Sequence, residues 1–205
     1  MERVAVFIDW QNCYHCAREA FHRETDSSPC GQVRPRALSE LLAEKGPAGR
    51  SVVHIGMYRG QPDPRVDPRT QWRAHAPAGR LGGGVRAAPD HADEGATLPR
   101  RSATRRSRRE GCHVQLAIDA MLLAASGAYD TAILVTTDTD FLPVVEGILA
   151  LRKERGSPSV EVVGWAGLAR GLNVPGVPVR WIGPRDYTAI RDTMDYNVPV
   201  AQRRR

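Results

Sequence analysis

Short apolar runs alternate with helical patterns along most of this chain, and two of those runs stop abruptly on aspartate. "VAVFI" meets Asp9, while "ILVTT" meets Asp138 and, one residue later, Asp140. Strands buried on both faces read as near-continuous apolar runs, and strands alternating with helices are the pattern of βαβ units. The expectation is an α/β domain with a mostly parallel central sheet.

The individual segments follow. "RVAVFID" reads as a first strand, followed by a helix in "NCYHCAREAF" with Asn12 as its N-cap. "RALSELLAEKG" sets Leu38, Leu41 and Leu42 at helical spacing before a glycine stop, and "SVVHIGMYRG" is a second strand. "PRTQWRAHA" reads as a short helix. "HVQLAIDAMLLAAS" is a helix apolar on nearly every side and therefore expected to be buried. "TAILVTT" is a central strand, and "DFLPVVEGILALRKERG" is a helix that tolerates Pro143 in its first turn. "SVEVVGW" and "VRWIG" supply further strands. A chain of 205 residues suits one domain, placed at 1–195, with a basic tail at 196–205. Residues 77–109 are rich in Gly, Ala, Pro and Arg and show no sustained period; they read as a mobile basic insertion.

All but two of the 29 basic residues are arginine, and they concentrate in "RRSATRRSRR" (Arg100 to Arg109) and the terminal "RRR", giving a net charge of +6. Arginine forks match phosphate oxygens, so nucleic acid is a natural partner; a solvated basic segment is the bland alternative. No span approaches the roughly 20 apolar residues of a membrane helix, and Asp9 ends the first apolar run too early for a signal-peptide core. The expected location is the cytoplasm, without membrane association. The four cysteines, Cys13, Cys16, Cys30 and Cys112, are too sparse for a disulfide scaffold and are expected to be reduced. "CYHC" admits a redox pair, or half of a zinc site completed by His15 or His22, but its i, i+3 placement on a helix favours packing cysteines.

In an open parallel sheet ligands bind beyond the carboxyl ends of the strands. That edge would gather Asp9, Asp138 and Asp140, and Asp119 adds an acid flanked by Leu116, Leu122 and Leu123. Two carboxylates about 4 Å apart repel by on the order of 4 kcal/mol at an effective dielectric of 20, so a cluster of them calls for protons or cations. Hard divalent ions take such oxygen ligands. Taken singly, Asp138 or Asp140 could merely cap the next helix, and Asp9 could be a turn residue.

These residues as a set resemble the NYN domain, a branch of the PIN-like nucleases that includes LabA-like proteins. The resemblance rests on "VAVFIDWQN", "HVQLAIDAMLLAASGAYDTAILVTTDTDFLPVVEGI" and "VEVVGW". It implies a Rossmann-like three-layer α/β/α sandwich and a metal-dependent ribonuclease using one or two Mg²⁺ or Mn²⁺ ions. Carried over by position, Asp9, Asp119, Asp138 and Asp140 would hold metal, with Asp9 and Asp138 the most direct ligands, and Asn12 would orient substrate or water. Two departures stand out. "EGCHVQLAID" carries His113 where many relatives have an acid, read as solvent-facing at the helix start in preference to an imidazole ligand or a substrate contact, and Glu110 where they have lysine. Residues 77–109 match no folded segment of the family. A non-catalytic RNA-binding module on the same fold is the competing expectation, and exposed strand edges would support a homodimer.

Overall fold

A computed structural model describes residues 1–27, 29–59, 105–169 and 171–194, with the backbone alone at 105–111. Among the described residues five strands form one sheet: β1 (Glu2–Asp9), β2 (Arg50–Tyr58), β3 (Thr131–Val135), β4 (Ser159–Trp165) and β5 (Val179–Ile182). Their order is β2-β1-β3-β4-β5, and every pairing is parallel. The α-helices of the described residues that cover the sheet are α1 (Trp10–Phe21), α2 (Pro35–Glu44), α3 (Arg105–Ala125), α4 (Leu142–Arg155) and α5 (Pro184–Ile190).

Side-chain alternation along the strands sorts the helices into two layers. Ala5 and Phe7 of β1, with Ala132 and Leu134 of β3, pack against Cys112, Leu116, Ala120 and Ala124 of α3 and Val144, Val145 and Ile148 of α4. Val4, Val6 and Ile8, with Ile133 and Val135, face Cys13, Cys16 and Ala17 of α1, Leu38 and Leu42 of α2, and Tyr187 and Ile190 of α5. The result is the three-layer α/β/α sandwich, with β1 and β3 shielded on both faces, which is why residues 4–8 and 132–135 are apolar throughout.

Several local readings are revised. Asp9, not Asn12, is the N-cap of α1, accepting the Asn12 backbone N–H at 3.1 Å. The third helix begins at Arg105, earlier than its apolar pattern, because no glycine or proline interrupts residues 101–110 and arginine is a good helix former. That helix is not buried all round. Val114, Ile118 and Leu122 are exposed, since a helix laid on a sheet buries one stripe, here Cys112, Leu116, Ala120 and Ala124. The expected helix in "PRTQWRAHA", the remainder of the basic insertion (77–104) and the tail 196–205 lie outside the described residues.

A buried ionic ladder crosses the amino-terminal part of the sheet on the α1, α2 and α5 side. Glu161 of β4 accepts from Arg50 of β2 (2.7 and 3.1 Å) and from Arg180 of β5 (2.7 and 2.8 Å). Arg50 also donates to Glu2 of β1. Thr131 of β3 donates to Glu2 as well, so all five strands contribute a member.

Candidate active site

The strand order reverses direction at β1 and β3: the chain leaves β1 toward one side of the sheet and enters β3 on the other. Ligand sites of open α/β sheets form at such a point, past the strand carboxyl ends. Asp9 closes β1, and Thr136, Thr137 and Asp138 follow β3, its register neighbour through Ile8 and Val135. The parallel register therefore sets Asp9, Asp138 and Asp140 on one edge.

Asp9 is 1% exposed. Its Oδ1 accepts the Asn12 N–H that caps α1, and its Oδ2 lies 3.3 Å from His113 Nε2. A buried carboxylate needs such partners, and the His113 ring supplies one of them. His113 is thus not the solvent-facing residue expected from its place near the start of the apolar pattern. Its ring packs 5.2 Å from that of Phe141, and its side chain is 22% exposed. The hydrogen bond to Asp9 raises the His113 pKa above its ordinary value; burial opposes this, and the charges of Asp9, Asp138 and Asp140 add to the rise.

Asp138 caps the short 3-10 turn Thr139–Phe141, its Oδ1 accepting the Asp140 N–H at 3.0 Å. Its own N–H donates to Thr136 Oγ1. Capping occupies one oxygen and leaves the carboxylate half-buried at the edge, so the cap role and a metal role are compatible. One ligand atom each from His113, Asp138 and Asp140 lies within 4.8 Å of the others, a spacing able to hold a metal ion.

Asn12 acts between the two turns. Its Oδ1 accepts Thr137 N–H at 2.9 Å and Thr137 Oγ1 at 3.2 Å, and Cys16 Sγ lies 3.5 Å away. One side-chain oxygen thereby clamps the β1–α1 turn to the segment that carries Asp138. Asp119, half-buried on α3, accepts from Tyr58 Oη at 2.9 Å and Gln115 Nε2 at 2.8 Å. Tyr58 is the register partner of Asp9, so Asp119 shares the same rim, one layer outward, but joins no three-member metal-competent group among the described residues. Cys13 and Cys16 are fully buried, and neither belongs to such a group among the described residues.

The family model for the NYN domain matches residues 3–172. The chain belongs to the NYN domain family, a group of PIN-like nucleases. No curated protein matches the chain, and no solved structure does. The match spans β1 through the segment after β4, and so includes every acid of the strand edge. Among the described residues no helix is long and apolar enough to cross a membrane.

Tyr58, Gln115 and Thr137 join the site without having been picked out from the sequence, and His113 joins it against the solvent-facing reading. For Tyr58 the available signal was its position as the last residue of a strand parallel to β1. For His113 it was the departure from the family pattern two turns before Asp119.

Proposed function

We propose that this NYN domain is a metal-dependent ribonuclease that hydrolyses RNA phosphodiester bonds at the carboxyl edge of β1 and β3. The observation that carries the reading is the convergence of Asp138, Asp140 and His113 within metal-ligand spacing, with Asp9 against His113, at the switch point of a parallel sheet. The donor set fits a divalent ion. Two carboxylates suit Mg²⁺ or Mn²⁺, and an added imidazole nitrogen favours Mn²⁺, which accepts nitrogen more readily than Mg²⁺ does. A bound ion would supply a water of lowered pKa and positive charge for the phosphate under attack.

Asp138, Asp140 and His113 would hold the ion, and Asp9 would keep His113 oriented while adding negative charge behind it. Asn12 fixes the distance between the two turns and so the placement of Asp138. Asp119, restrained by Tyr58 and Gln115, would act on the outer side of the site, toward water or substrate. The arginine-rich composition supports an RNA backbone as substrate, through phosphate contacts that carry no sequence preference.

Mn²⁺ uptake followed by electron paramagnetic resonance, with RNA retention on filters, tests this assignment. Asp138→Asn should lose Mn²⁺ uptake while still retaining RNA. Uptake equal to that of the parent chain would remove Asp138 from the metal site, and salt-sensitive RNA retention without any Mn²⁺ uptake by the parent would favour a binding module.

A further inference from the structure

A second group of metal-competent side chains lies at the far end of α1. That helix starts at the strand edge and runs back along the sheet for 12 residues, about 18 Å at 1.5 Å per residue, so its C-cap His22 is remote from Asp9. His22, Asp26 and Cys30 recur at four-residue intervals, and one ligand atom from each lies within 4.8 Å of the others. The donors are an imidazole nitrogen, a carboxylate oxygen and a thiol sulfur, a mixture that suits zinc rather than Mg²⁺ or Ca²⁺.

The surroundings fix each donor. His22 Nε2 sits 3.0 Å from the Tyr187 hydroxyl, which itself accepts the Gly31 N–H at 2.8 Å; Nδ1 is thereby directed to Asp26 Oδ2 at 3.2 Å. A hydrogen bond on the second ring nitrogen is the usual support of a metal-binding histidine. Asp26 accepts the Arg23 N–H at 3.0 Å, and this bond first, then His22, holds its carboxyl below the usual range. Arg18 donates to the carbonyls of Glu24, Asp26, Ser27 and Cys30, which folds the turn around one guanidinium and sets Cys30 beside the other two donors. The His22–Asp26 pair accounts for two members of the group, and the turn held by Arg18, with Ser27 Oγ 3.7 Å from Cys30 Sγ, places the thiol beside them.

We infer that His22, Asp26 and Cys30 form a zinc site, separate from the acidic edge, that fastens the turn after α1 to α5 through Tyr187. Tetrahedral bond lengths of ~2.0–2.3 Å require donor separations of about 3.3–3.8 Å, so closure asks for a contraction of roughly 1 Å, within the reach of side-chain rotation. Three protein donors leave the fourth position to water or an external ligand.

Cobalt(II) substitution in the full chain reads the site through its sulfur. A thiolate-to-cobalt charge-transfer band in the near ultraviolet is expected in the parent and in Asp138→Asn, and should vanish in Cys30→Ser and His22→Ala. Tyr187→Phe should weaken cobalt binding by about 10–100-fold. In parallel, one equivalent of Zn²⁺ should slow alkylation of Cys30 in the parent, followed by peptide mass, at least tenfold. This arm needs no variant to fold. Absence of the band in the parent, persistence of the band in Cys30→Ser, or unprotected Cys30 would each overturn the proposal.

Discussion

Glu161→Gln should cost the domain several kcal/mol, because Glu161 is the hub of the ladder that ties together all five strands. Its side chain is 5% exposed and accepts four hydrogen bonds from two guanidinium groups. Burial alone would raise its pKa, but the bonds from Arg180 and Arg50 together outweigh that and bring it from 4.5 down to about 2. A depression of roughly 2.5 units corresponds to about 3 kcal/mol of folding free energy at neutral pH. Glutamine keeps the shape and removes the charge, leaving Arg50, 4% exposed, with Glu2 as its remaining carboxylate. Breaking one side of a buried pair typically costs ~3–5 kcal/mol, in the same range. Urea unfolding at pH 7 should therefore show a midpoint lowered by about 1.5 M if m is near 2 kcal/mol/M.

The sign of the pH dependence follows from the depressed pKa. The carboxylate's contribution is complete above its unfolded value and is lost as pH falls through the folded value, leaving about 1 kcal/mol at pH 3. The gap between parent and Glu161→Gln should narrow accordingly between pH 5 and pH 3 on the same scale. A gap below about 1 kcal/mol at pH 7, the size of an exposed ion pair, would refute the reasoning. So would a gap that does not change with pH.

Other changes probe the site and its supports. Asn12→Ala unfastens the two turns and leaves the Thr137 N–H without its acceptor; it should cost about 1–2 kcal/mol in urea unfolding and slow RNA cleavage with RNA retention unchanged. Asp119→Asn keeps its oxygen as the acceptor for Gln115 and can turn its amide N–H toward the Tyr58 hydroxyl, which can accept, so cleavage should fall less than in Asp138→Asn; single-turnover rates compare the two, and an equal fall would put Asp119 among the direct ligands. Gly31 adopts φ +99, and a Cβ there would stand 2.8 Å from both Arg18 Cβ and the Tyr14 carbonyl. Gly31→Ala should thus lower stability by ~1–3 kcal/mol, and an unchanged thermal midpoint would contradict this placement of the turn.

What the sequence disclosed depended on how locally each feature is determined. β1 and β3 were legible because residues 4–8 and 132–135, covered on both faces, form unbroken apolar runs, and the acids ending them were legible because a parallel sheet puts strand ends together. The extent of α3 was less so: its apolar residues suggested burial all round, yet Val114, Ile118 and Leu122 face outward. α5 has seven residues, too few for a helical period to show. The contact of His113 with Asp9 depends on α3 lying across the end of β1, between residues 104 positions apart, which no local pattern encodes. Asn12 was legible as a polar residue near the site. That it holds Thr137 rather than capping its own helix emerges only when β1 and β3 are side by side.

Cleavage of RNA by the full chain, at protein in excess and with Mn²⁺ titrated from chelated to saturating levels, bears most directly on the acidic edge. The account predicts a rate that rises with Mn²⁺, is abolished by chelator, and falls at least a hundredfold in Asp138→Asn. Cleavage that persists in chelator, or that Asp138→Asn leaves intact, would contradict a metal-centred nuclease site at the ends of β1 and β3.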